Sequence, residues 1–268
     1  MKKFRNGLYA ILNADDPDSP DYRIADFLIK NVPKVGSMSI ADIANGSFTS
    51  KSSVSRFCRR LGYRDFQSMS QTMQHSQVFR YRRYDEYVPI EDGGEAADLY
   101  LMQLRRTVED VGRYATPERI DHLTDLIFDH EKIGIFGQMH SLPVAMHFQM
   151  ELSTIERFAS CYLMQPEQER YIMQAGSDTV IFVISCTGKY FEYFSERASF
   201  HSSNRPYLVL LTNNRQLKVC PPYDEVHIVP CEDNTAGKPF SLQLFIDLIM
   251  MNVVRRRYGA KKLDEDNE

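Results

Sequence analysis

A chain of 268 residues has room for two domains of ordinary size, and its 43% apolar and 25% charged composition excludes a disordered or fibrous polymer. No apolar run approaches the ~20 residues needed to cross a bilayer. The net charge of −4 is uneven: between positions 34 and 83 nine basic residues meet only Asp42 and Asp65, a balance of +7 that leaves −11 elsewhere. One part of the chain is thus suited to polyanions and the other is not, although a solvated basic surface would give the same count.

The opening segment Met1 to Asn6 is basic, but charged residues and Asn interrupt the stretch after it, so it does not read as a secretory signal. Phe4, Leu8, Ile11 and Leu12 recur at helical spacing, and Asp15 to Pro20 then breaks the chain. A second helix carries Ile24, Phe27 and Leu28 and stops near Asn31-Val32-Pro33. A third begins at Ser39, a natural N-cap with Asp42 three residues on. A fourth runs from about Lys51 to Leu61 and ends at Gly62, the residue expected just past a helix.

On that fourth helix Val54, Phe57, Cys58 and Leu61 form one apolar stripe, with Ser52, Arg56 and Arg59 opposite and Ser55 and Arg60 at the flanks. The helix from Ser39 to Ala44 joins it through Asn45-Gly46-Ser47-Phe48-Thr49-Ser50. This is the spacing of a helix-turn-helix, whose second helix enters the major groove of double-stranded DNA; an ordinary amphipathic helix with a charged solvent face is the alternative.

Val88 to Gly94 is the best linker. An amphipathic helix over Glu95–Tyr114 comes next, and another starts after Thr116-Pro117. Short apolar runs then alternate with helical stretches: Lys132–Phe136, Cys161–Leu163, Thr179–Ile184, Tyr207–Leu211 and Val226–Val229. A last helix covers Phe240 to about Arg257, and the tail is charged. Such alternation predicts a parallel sheet of five strands flanked by helices. The predicted domains are therefore 1–85, all-α with the helix-turn-helix; 86–114, linker and connecting helix; 115–260, α/β; and 261–268, tail.

In a parallel sheet, ligands bind outside the carboxyl ends of the strands. Two such ends are suggestive: Gly137-Gln138-Met139-His140-Ser141, leading into a helix with Pro143 in its first turn, and Ser185-Cys186-Thr187-Gly188, leading into a helix around Tyr190 to Ser203. Hydroxyls and free N–H groups at a helix N-terminus make an anion site, although small residues also serve tight turns. Other residues attract less. His140 reads mainly as a solvated loop residue, Glu151 lies about ten residues beyond the first loop, and Cys186 lacks an activating neighbour. Met146, Met150, Met250 and Met251 read as core or interface. Five scattered cysteines with no C-x-x-C pair argue against disulfides and zinc and suit a reducing cytoplasm.

Ser39-Ile40-Ala41-Asp42-Ile43-Ala44, the run from Ser50 to Tyr63 and Phe66 together closely resemble the helix-turn-helix of RpiR/MurR regulators, in which R-F-C-[KR]-[KR]-L-G-[FY] is a specific string. Those regulators join this module to a sugar isomerase (SIS) domain, a pattern matched here over roughly residues 115–258. Ser185-x-Thr187-Gly188 looks like that domain's S-x-[ST]-G phosphosugar loop, and Ser141 matches the serine of its G-x-G-x-S loop. Met139 replaces the second glycine, and Tyr190 stands where a small hydroxyl residue is usual.

The resemblance implies a transcription regulator of carbohydrate genes, not an enzyme, without cofactor or metal. The cysteines and hydropathy suit a cytoplasmic protein without membrane contact. The small contact surface of one helix-turn-helix, with paired half-sites, predicts a homodimer or higher homo-oligomer. Its DNA contacts would come from Ser50, Lys51, Ser52, Ser53, Ser55, Arg56, Arg59 and Arg60. A small phosphorylated sugar would meet Gly137, His140, Ser141, Ser185, Thr187 and Gly188. The partner surface is expected on Glu95–Tyr114 and on the last helix at Phe245, Ile246, Ile249 and Met250. A phosphosugar isomerase or lyase, and a ligand-independent DNA-binding dimer, are the alternatives.

Overall fold

The computed structural model describes residues 2–75, 84–194, 204–217, 222–232 and 236–265. Arg80, Arg82 and Arg83 of the basic segment, and Ser195–Ser203 of the helix expected after the second loop, lie outside them. The chain forms two compact units. One comprises Met1–Tyr81 with Tyr162–Tyr171, the other Arg82–Cys161 with Ile172–Glu268.

The first unit is helical: α1 Lys2–Ala14, α2 Pro20–Lys30, α3 Ile40–Gly46, α4 Lys51–Arg60 and α5 Phe66–His75, with a 3₁₀ segment Val32–Ser37. Local chemistry fixes the ends. Ser19 caps α2 by accepting from the Tyr22 N–H, and Pro20 stands at the first helical position, where its missing N–H costs nothing. Ser39 and Asp42 form a reciprocal capping box on α3. Phe4, Leu8, Ile11, Ile24, Leu28, Ile43, Val54, Phe57 and Cys58 close the core.

Met164 is buried in this same core, with Leu163 packed on it. That corrects the expected strand over Cys161–Leu163: the strand is Ala159–Ser160, and the apolar residues beyond it are used by the helical core instead.

The second unit contains α6 Gly93–Tyr114, α7 Pro117–Asp129, β1 Lys132–Gly137, α8 Leu142–Ser153, β2 Ala159–Ser160, β3 Thr179–Ile184, β4 Tyr207–Thr212, β5 Glu225–Ile228 and α10 Lys238–Glu265; α9, Gln165–Gln174, begins in the first unit's segment. The five strands are parallel in the order β2-β1-β3-β4-β5. β3 is buried along its whole length, as a central strand covered on both faces must be.

Phe148, Phe182, Ile184, Leu211, Phe245, Ile246 and Ile249 sit in the core between sheet and helices. The predicted partner surface on the last helix therefore fails: Phe245, Ile246, Ile249 and Met250 face inward, and the exposed large apolar residues among those described on α10 are Phe240, Met251, Val254 and Tyr258. The last helix also runs past Arg257 to Glu265, into the expected charged tail.

Candidate functional site

In the helical unit α4 divides cleanly. Val54, Phe57 and Cys58 are fully buried, while Lys51, Ser52, Arg56 and Arg59 are exposed and Ser55 is half-buried. Ser50 caps the helix, accepting from the Ser53 N–H at 3.1 Å, and its hydroxyl lies 2.7 Å from that of Ser52. At the other end Gly62, with φ +80°, sends its N–H to Arg59 while Tyr63 sends its own to Cys58, a Schellman ending.

Two of the predicted DNA-facing residues are occupied otherwise. Ser53 is buried and accepts from the Arg56 guanidinium at 3.2 Å. Arg60 bonds both carboxylate oxygens of Asp15 and reaches Asp21 at 2.7 Å, tying α4 to the start of α2 and the end of α1.

In the α/β unit the two loops at the carboxyl ends of β1 and β3 meet. The Ser141 hydroxyl accepts from the Cys186 N–H at 3.4 Å and lies 3.5 Å from its sulfur. A Cβ at Gly137 would stand 2.6 Å from the Ser141 carbonyl oxygen, so only glycine permits this loop. Met139 adopts φ 55°, the left-handed region that favours glycine, which is the residue the sugar-isomerase pattern has at this position.

The second loop turns tightly, the Gly188 N–H donating to the Ser185 carbonyl at 3.0 Å with Gly188 at φ +71°. Asn214, just beyond β4, donates to the Thr187 carbonyl at 3.0 Å and braces it. Ser141 and Ser185 are buried; His140 and Thr187 are exposed.

Residues 15–77 match the helix-turn-helix domain of the rpiR family. The helical module is similar to that domain over these residues. An HTH-type transcriptional regulator of Caldanaerobacter subterraneus is 23% identical over 167 residues, 62% of this chain and 59% of its own length. HexR of Pseudomonas aeruginosa, also an HTH-type transcriptional regulator, is 23% identical over 176 residues, 65% of this chain and 62% of its own. The chain thus aligns with rather less than two thirds of either relative. The NanR protein of Vibrio vulnificus, solved in complex with ManNAc-6P, shares the fold at a TM-score of 0.50 and 16% identity, covering 98% of this chain and 94% of NanR.

Two features of the α/β unit differ from the sequence expectation. After the second loop the described residues form a 3₁₀ turn, Phe191–Tyr193, so an α-helix N-terminus is described only at α8. Tyr190 is buried in an aromatic cluster, its ring 5.2 Å from Phe191 and 5.3 Å from Phe194, which takes up the bulk that seemed out of place in the loop. Glu151 is a half-buried residue of α8, 4.0 Å from His147, whose other nitrogen is 2.7 Å from Asp247 of α10.

Sequence reasoning also missed Asn214. Its only signal was a polar pair, Asn213-Asn214, at the end of a buried strand. Among the described residues no helix is long and apolar enough to cross a membrane, and no group of three or more metal-ligating side chains occurs.

Proposed function

We propose that this chain is a DNA-binding transcriptional regulator whose α4 enters the major groove and whose α/β unit responds to a phosphorylated sugar. One observation carries the DNA half: α4 buries Val54, Phe57 and Cys58 and leaves Lys51, Ser52, Ser55, Arg56 and Arg59 on the opposite face. The hydroxyls of Ser50 and Ser52 and the Lys51 ammonium, at the N-terminal end, suit phosphate oxygens; Arg56 and Arg59 suit guanine edges or phosphates. Ser53 and Arg60 act by holding the helix in place.

The effector reading rests on the joined loops. Their phosphate ligands would be loop amides, the exposed Thr187 hydroxyl and the N-terminus of α8, with Gly137, Ser141, Ser185 and Gly188 shaping the backbone and His140 at the rim. That the relatives are transcriptional regulators, and that NanR was solved with ManNAc-6P, supports this reading. Sensing is favoured over turnover because His147 is engaged on both ring nitrogens, by Glu151 and by Asp247, and the relatives are transcriptional regulators. The regulator works in the cytoplasm as a homodimer on paired half-sites about one helical turn apart.

Enrichment of duplexes from a randomised pool by the full chain, and then anisotropy titrations with a panel of hexose and amino-sugar phosphates, test both halves. One sugar phosphate should shift affinity for the selected duplex by about 5–150-fold. Failure to enrich any duplex ends the regulator reading; enrichment with no response to any sugar phosphate ends the effector reading alone.

A further inference from the structure

The turn between α3 and α4 holds an anomaly that folding does not explain. Phe48 adopts φ 53°, a region where a bulky L-residue is strained, and the residue is 84% exposed. The conformation is imposed from both sides. The Phe48 N–H donates to the Asn45 carbonyl at 3.2 Å, the Thr49 N–H to Ala44 at 2.8 Å, and the Ser47 and Thr49 hydroxyls lie 2.9 Å apart. Asn or Gly would satisfy this backbone without strain, and a polar residue would satisfy the exposure. Phe satisfies neither, so its ring must gain from something outside the unit.

Position says what. Phe48 stands two residues before the α4 cap Ser50 and three before the exposed Lys51, at the end of the helix that carries the proposed DNA face. We infer that Phe48 is a further DNA-contacting residue, its ring packing on an apolar part of the duplex beside the groove that α4 enters. The inference rests on the DNA-binding reading above. Duplex DNA offers two such surfaces, the thymine methyl in the major groove and the deoxyribose face of the backbone; both reward an apolar ring and neither rewards a charge.

The test uses the full chain and the duplex it selects from a randomised pool. Phe48→Asn keeps a residue that tolerates the left-handed conformation and removes the ring; Phe48→Tyr keeps the ring. Phe48→Asn should raise the melting temperature while weakening duplex binding about tenfold, and Phe48→Tyr should bind within a few-fold of wild type. Because no charge is removed, the slope of log affinity against log salt should not change for either variant. With every thymine of the duplex replaced by deoxyuridine, loss of the Phe48 dependence assigns the thymine methyl, and its persistence assigns the deoxyribose.

Wild-type affinity in Phe48→Asn, against a duplex that still responds to Arg56→Ala, overturns the inference and leaves the DNA reading standing. A wild-type chain that selects no duplex overturns both.

Discussion

Gly137→Ala tests the construction of the effector loop. The added methyl would lie 2.6 Å from the Ser141 carbonyl oxygen, 2.8 Å from its carbon and 3.2 Å from the Leu142 nitrogen. All three are backbone atoms at the junction of the loop with α8, so no side chain can swing aside, and the strand end or the helix start must shift. Overpacking of this kind costs about 1–3 kcal/mol.

Gly112 supplies an internal control in the same unit. It is exposed near the end of α6, with nothing within 4 Å of its notional Cβ, so Gly112→Ala should stabilise by about 0.5–1 kcal/mol. The chain has no Trp, so urea unfolding is best monitored by far-ultraviolet circular dichroism, with both variants beside wild type. The expected order is Gly112→Ala, wild type, Gly137→Ala. If Gly137→Ala unfolds with or after wild type, the close approach of β1 to Ser141 is wrong, and the loop geometry with it.

Arg60→Ala should destabilise the helical unit by about 1 kcal/mol, because a doubly bonded Arg–Asp15 pair with a second bond to Asp21 is lost from a partly solvated site; thermal melts should show the difference shrinking in high salt. Glu225 governs acid stability. Burial alone would raise its pKa, but hydrogen bonds from His227, Tyr207 and His122 outweigh burial and hold it at about 2 against an ordinary 4.5. A depressed carboxylate stabilises fully above its unfolded pKa, so this contribution is present at neutral pH and fades as pH falls below 4.5 toward 2; Glu225→Gln should flatten that part of the pH–stability curve. Thr187→Val, which keeps shape and the carbonyl that Asn214 braces, should weaken the response to a sugar phosphate in anisotropy titrations while sparing effector-free DNA binding.

The parts legible in sequence are those governed by short-range chemistry. The capped α3, the Gly62 ending of α4 and the buried runs of β1, β3 and β4 arise from residues a few positions apart. The misses needed long-range information. The Arg60 ion pair was not legible because its partner Asp15 is 45 positions away. Leu163 looked like strand because nothing local shows that it and Met164 pack on a core built from the first 75 residues.

The inward face of α10 was mistaken for a partner surface because a helix pressed on a sheet and one pressed on a second chain bear the same apolar stripe. Phe48 was not legible because a left-handed bend in a turn is expected at its glycine, Gly46, and it falls two residues later. The two loops of the effector site were readable singly. Their joining through Ser141 and Cys186 depends on β1 and β3 being neighbours in the sheet, which strand order alone decides.

The central claim is that the exposed face of α4 binds duplex DNA. Its most direct measurement is the affinity of the full chain for its own selected duplex over a range of salt, for wild type and for Arg56→Ala/Arg59→Ala. Both side chains are exposed, so the double variant should fold and melt close to wild type. The account predicts a loss of about 1–3 kcal/mol for each arginine that reads a base, and a salt slope smaller by about 1 for each that meets a phosphate. A folded double variant with unchanged affinity and unchanged slope would contradict it.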